Sequence, residues 1–235
     1  MQLCEEVDRS ICNMSAIPKT ASITRVRSAS PQPLTKAGLA LAAQQLAKRD
    51  RDLGAIFKAL GPPPLWSRKP GFQTLVRIIL EQQVSLSSAA SMYKRLSEGI
   101  QPFGPQRVLE LGEPHLKSLG LTRQKTAYCL HLAEFLTSNA LDLAKLSRMS
   151  DQDAKAALMQ VKGIGLWSAE VYLLMVLRRP DVWPASDLAL ASAVTKVKRL
   201  KQRPTADQLS AIADQWRPFR SVAARMLWQH YLAKL

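Results

Sequence analysis

A chain of 235 residues with 47% hydrophobic content can bury a core of its own without covalent staples. Its 33 Lys and Arg stand against 18 Asp and Glu, a formal charge of +15, and an excess that large predicts a polyanionic partner. Cys4, Cys12 and Cys129 form no CxxC pair, the His residues are unclustered and no apolar run nears the ~20 residues that span a bilayer. A disulfide framework, a zinc site and a membrane span are therefore set aside, and a soluble protein with reduced thiols is expected.

Residues 1–34 mix Ser, Thr, Pro and Arg without a sustained period and read as a flexible tail. From Met14 the tail is basic and acid-poor, as a transit peptide would be, but Glu5, Glu6 and Asp8 argue against targeting. Helices are expected over 37–49 and 52–60, the second stopped by Gly61-Pro-Pro-Pro64. Phe72, Leu75, Val76, Ile79, Leu80 and Val84 follow the helical period, as do Ala89, Ala90, Met92, Tyr93 and Leu96 after a Ser-rich break. Further helices fit 105–111, 114–119, 123–139, 141–148, 151–161, 166–177, 187–200, 206–215 and 221–235. With no alternating segment to suggest a strand, the expected fold is all-α.

The chemistry concentrates in Leu158-Met-Gln-Val-Lys-Gly-Ile-Gly-Leu-Trp-Ser-Ala-Glu-Val-Tyr172 and Pro184-Ala-Ser-Asp-Leu-Ala-Leu190. Gly163 and Gly165 sit between two helical stretches, giving a tight hairpin with uncovered backbone. A nucleic-acid phosphate can approach closely there, facing the free N–H groups and the dipole of the second helix. Asp187 admits two readings: an N-cap for the helix that follows, or an acid returned to the same edge as the hairpin.

These residues resemble the helix-hairpin-helix base-excision DNA glycosylases, and within them the AlkA-like 3-methyladenine DNA glycosylases. Further blocks carry the likeness: Ile79-Leu-Glu-Gln-Gln-Val-Ser85, Gly120-Leu-Thr-Arg-Gln-Lys125 and Trp216-Arg-Pro-Phe-Arg-Ser-Val-Ala-Ala224. The resemblance implies two helical lobes, 35–71 with 181–235 and 72–180, with the active site between them and Asp187 as the catalytic acid. It places Trp167 where the family's lyases carry a nucleophilic lysine, which implies base removal without strand cleavage. Lys162 replaces a proline usual in the motif. Lys162, Gly163, Ile164, Gly165 and Ser168 are the implied DNA contacts and Gln83 the wedge that fills the gap left by a flipped nucleotide, although a helix-surface amide is the alternative for Gln83. Trp167 and Trp228 are the implied walls of the base pocket, where cation–π contacts reach ~2 kcal/mol; core packing is the alternative for Trp228. The carbonyls of Met159, Val161 and Ile164 are the implied ligands of a monovalent Na+ or K+ ion.

No iron–sulfur cluster or zinc is expected, since nothing after Cys129 could ligate iron. Lys196, Lys198, Arg199, Arg217 and Arg220 are further candidates for phosphate, or simply a solvated basic face. His115, His131 and His230 show no convergent partners, and Trp66, Trp183 and Trp216 read as packing. The expected protein is a monomer acting on double-stranded DNA with damaged bases, in the bacterial cytoplasm or in a eukaryotic nucleus or organelle. The expected reaction is release of alkylated purines such as 3-methyladenine and 7-methylguanine, alternatives being a glycosylase for uracil or hypoxanthine and a non-catalytic DNA binder.

Overall fold

The computed structural model describes residues 32–233, so the expected N-terminal tail lies outside the described residues except for its last three. Leu34 is already buried, and its N–H donates to the Arg178 carbonyl at 2.8 Å. The described residues form helices and connecting turns with no strand among them. The all-α expectation holds.

Helix α1 (Lys36–Arg49) follows a Thr35 cap, and α2 (Arg51–Leu60) follows an Asp50 cap. The apolar period after Gly71 becomes α3 (Phe72–Glu81), and the Ser-rich break supplies the Ser85 cap of α4 (Leu86–Gly99). The two helices expected over 105–119 form one element, α5 (Pro105–Ser118), interrupted where Gly112 leaves helical geometry ahead of Pro114. Then come α6 (Arg123–Thr137), α7 (Leu143–Leu146), α8 (Asp151–Met159) and α9 (Leu166–Met175). The helix expected over 141–148 shrinks to the single turn of α7. Asp142 captures the Ala144 and Lys145 amides, and the buried Arg179 guanidinium collects the Ser147 and Met149 carbonyls at 3.1 and 2.7 Å. The chain closes with α10 (Leu188–Val197), α11 (Ala206–Ala213), a 3-10 turn (Asp214–Trp216) and α12 (Arg220–Leu232).

The principal contacts join α1, α2, α10 and α12 on one side, and α3 with α4, α6 and α9, α5 with α6, and α8 with α9 on the other. A continuous apolar core runs through both groups. Arg225, fully buried on α12, spans them: Nε donates to the Leu65 carbonyl at 3.0 Å and Nη2 to the Leu174 carbonyl at 2.6 Å. Burial without a carboxylate lowers its pKa to about 10. That staple sits one turn before Trp228 and so sets the height of α12 against α9. No described helix is long and apolar enough to cross a membrane.

Candidate functional site

Asp187 is both things its sequence context suggested. It is the N-cap of α10, with Oδ1 accepting the Leu190 amide at 2.8 Å, and it is 8% exposed. Two indoles complete its surroundings. Trp167 Nε1 donates to Oδ2 at 2.9 Å and Trp228 Nε1 donates to Oδ1 at 3.1 Å. The tryptophans expected as walls are thus hydrogen-bond donors to the carboxylate, Trp228 from a buried place in the core. All three donors are neutral, and no described Lys or Arg forms an ion pair with Asp187. Among the described residues its negative charge is oriented without an ion-pair partner, a condition under which it attracts a developing cation strongly.

The hairpin joins α8 to α9 through 160–165. Its two glycines differ. Gly163 has φ +92°, and a Cβ there would run into the ring of Tyr128. Gly165 has ordinary extended backbone, caps α9 without a side chain and would present a Cβ only to open space. Its bareness leaves the first N–H groups of α9 accessible to an anion. Lys162 is exposed beside it, while Ile164 is buried under the turn, with its N–H on the Val161 carbonyl at 2.9 Å. Trp167, in the first turn of α9, connects the hairpin directly to Asp187.

Several expected contacts stand differently. The Ser168 hydroxyl is turned inward at 2% exposure and bonds Gln82 at 2.8 Å, so its side chain meets the protein interior. Arg220 is committed to Asp181, Lys198 to Asp50 and Asp52, and Arg217 to Asp181 and Asp214, each at 2.8–3.0 Å. Those three cations neutralise carboxylates of their own chain; Arg199 is exposed. Gln83 lies on no helix surface: it is exposed in the α3–α4 turn with φ +57°. Trp183 and Trp216 are buried against each other, with ring centroids 5.3 Å apart, and the partly buried Trp66 packs on the core.

Sequence reasoning missed three residues around the hairpin. His131 has a partner after all: its Nδ1 accepts the Lys162 amide at 3.0 Å, taking one hairpin N–H away from any ligand. Gln82 Nε2 donates to the Gly163 carbonyl at 2.7 Å. Lys125 is buried on α6, and Nζ donates to the Leu80 and Gln82 carbonyls at 2.5 and 3.2 Å. Only Lys125 left a signal, a lysine in helical register with the apolar Cys129, Leu132 and Ala133. Cys129 beside it is an inert thiol, pushed by burial to about 12; Cys4 and Cys12 lie outside the described residues. A cavity of about 410 Å³ opens between the Gln83 turn, the start of α6 and the hairpin. No group of three or more His, Cys, Asp or Glu among the described residues could hold a metal ion.

Residues 76–218 match the family described as HhH-GPD superfamily base excision DNA repair protein. The DNA-3-methyladenine glycosylase 1 of Schizosaccharomyces pombe is 27% identical over 203 residues, covering 83% of this chain and 87% of its own length. The DNA-3-methyladenine glycosylase of Bacillus subtilis is 28% identical over 185 residues, covering 74% of this chain. The chain spans under two thirds of two B. subtilis relatives, 64% of one and 59% of the other. Among solved structures, the S. pombe 3-methyladenine DNA glycosylase Mag1 in complex with abasic DNA superposes with a TM-score of 0.77 at 25% identity, covering 83% of this chain and 97% of that one.

Proposed function

Because the chain belongs to the HhH-GPD superfamily of base excision DNA repair proteins, we propose that it is a monofunctional DNA glycosylase that releases alkylated purines from duplex DNA. The observation that carries the reading is the Asp187 carboxylate, held by three neutral N–H donors one bond away from an anion-gripping hairpin. Relatives named DNA-3-methyladenine glycosylase support the lesion class.

A purine methylated at N3 or N7 is cationic, so the bond from its nitrogen to C1′ breaks with the electron pair neutralising the base, and no strong general acid is needed. Positive charge then moves onto the sugar. A fixed carboxylate beside it stabilises that oxocarbenium character, a term whose loss costs roughly 3–4 kcal/mol. Water adds at C1′ and loses its proton, leaving an abasic site. The nucleotide reaches Asp187 by flipping, with Gln83 filling the gap from its turn and the α9 N-terminus holding the backbone. The partly buried ring of Trp167 suits a cationic base, with the buried Trp228 behind the carboxylate.

Trp167 leaves no lysine at the lyase position, Lys125 has its ammonium held by two carbonyls, and Lys162, exposed on the hairpin, is read as a phosphate contact. The product is therefore an intact strand. The hairpin carbonyls of Met159, Val161 and Ile164 are hard donors suited to Na+ or K+, Val161 keeping one lone pair beyond its bond to Ile164. Such an ion would screen the bound phosphate.

The test is single-turnover base release from duplexes carrying one defined lesion each, read on gels with and without alkali. We expect 3-methyladenine and 7-methylguanine to leave much faster than hypoxanthine or uracil, strand cleavage only after alkali, and no covalent complex trapped by borohydride. Fastest release of uracil or hypoxanthine overturns the lesion class; a trapped complex overturns the monofunctional assignment.

A further inference from the structure

The α3–α4 turn is exposed and adopts an uncommon backbone, yet it is braced on three sides. Behind it, Arg68 clasps Glu81, the last residue of α3, with both terminal nitrogens at 2.8 and 2.9 Å. Beneath it, Lys125 places a buried ammonium against the closing carbonyls of α3 and its turn, where the helix dipole favours a cation. In front, the Gln82 carboxamide uses both hydrogens across the gap, one on the Gly163 carbonyl at 2.7 Å and one on the Ser168 hydroxyl at 2.8 Å. The Gln83 side chain is exposed beside the cavity of about 410 Å³.

Burying a lysine without a carboxylate is costly, and the desolvation shows as a lowered Lys125 pKa. What the bonds achieve is to fix the direction of Gln83 relative to the hairpin. We propose that Gln82 and Lys125 are positioning residues for strand invasion: they bolt the turn that carries Gln83 to the phosphate-gripping hairpin, so that wedge and clamp engage DNA as one rigid unit. The inference rests on the glycosylase reading and extends it, because it assigns the step at which these residues act, nucleotide flipping, as distinct from bond cleavage.

The test compares single-turnover release of 7-methylguanine from a duplex, which demands flipping, with release from the same strand unpaired, which does not. Gln82→Met keeps length and removes both donors. We expect it to slow release from the duplex roughly 10- to 100-fold, the scale of two lost hydrogen bonds, with the unpaired strand within about twofold of wild type. Lys125→Met should behave alike and Lys125→Arg should recover part of the rate. If Gln82 acts through the wedge, Gln82→Met combined with Gln83→Ala should be no slower on the duplex than Gln83→Ala alone.

Equal slowing on both substrates, or additive slowing in the double variant, overturns the proposal. A variant with a lower melting temperature but an unchanged duplex-to-single-strand ratio also overturns it. Should the wild type release no base from either strand, the glycosylase reading fails by itself. The positioning claim is then read from 2-aminopurine beside an abasic site, whose unstacking by the wild type should be lost in Gln82→Met, and its persistence in that variant refutes the claim.

Discussion

Asp50 and Asp187 are built alike and left in opposite electrical states. Each is a buried N-cap, 5% and 8% exposed, each accepts backbone amides at the start of its helix, and each receives an indole N–H, from Trp216 at 2.8 Å or from Trp167 and Trp228. At Asp50 the charge is cancelled. Lys198 sits on both of its oxygens at 3.0 and 2.8 Å, and although burial alone would raise the carboxyl pKa, the bonds from Lys198 and Trp216 bring it below the ordinary value. At Asp187 no cation among the described residues forms an ion pair. A neutralised aspartate ties α2 to α10 and the 3-10 turn, whereas the same motif without its lysine keeps a charge in hand for something that comes from outside.

Removing the charge from each tests the contrast. Asp187→Asn should keep the helix cap and abolish most base release, by roughly 10²–10³-fold or more, while binding to abasic-site DNA survives. Full activity in that variant would reduce Asp187 to a second Asp50.

The next largest effect is expected at the other corner. Lys198→Met leaves Asp50 buried and unpaired and should cost about 2–3 kcal/mol of stability, less than a fully buried pair because the lysine side chain is 21% exposed. Activity per folded molecule should hold. The pH dependence has a definite sign. Asp50 is lowered in the folded state, so its contribution is present above the usual carboxylate range and lost as pH falls through the lowered value. The gap in melting temperature between wild type and variant should therefore narrow below about pH 4. A gap that widens in acid contradicts the pairing.

Smaller and more diagnostic are Trp167→Phe and Trp228→Phe, which keep a ring and delete the indole N–H. Each should slow release about tenfold, the worth of one hydrogen bond to a charged group, with little change in melting temperature. Trp167→Leu, losing the ring as well, should fall further on cationic bases than on hypoxanthine. If Phe at both positions is harmless, the indoles only line the pocket and aim nothing.

The helices, the glycine hairpin and Asp187 were legible in the chain because each is a local signal: a 3.6-residue period, two glycines spaced by one residue, a Ser-Asp before an apolar helix. What escaped was every partnership across distance. Nothing in Gln82 announces a carbonyl 81 residues away, nothing in His131 announces the Lys162 amide, and an indole reads as apolar bulk until its N–H is seen to point somewhere. The basic residues misled for the same reason: Arg220 and Lys198 count toward the net charge, but Asp181 and Asp50 had already claimed them.

The ring of Tyr128 against Gly163 carries a consequence for how this surface can change over generations. Of the two hairpin glycines, Gly165 would present a Cβ to open space, so a substitution there meets no atom of its own chain. Gly163 answers to its own chain: a methyl group at 163 would meet the ring of Tyr128 and would also strain a backbone held at φ +92°, so a smaller residue 128 removes only the first obstacle. The two positions form a size-coupled pair, and a sequence that enlarges one while keeping the other has given up this shape of hairpin.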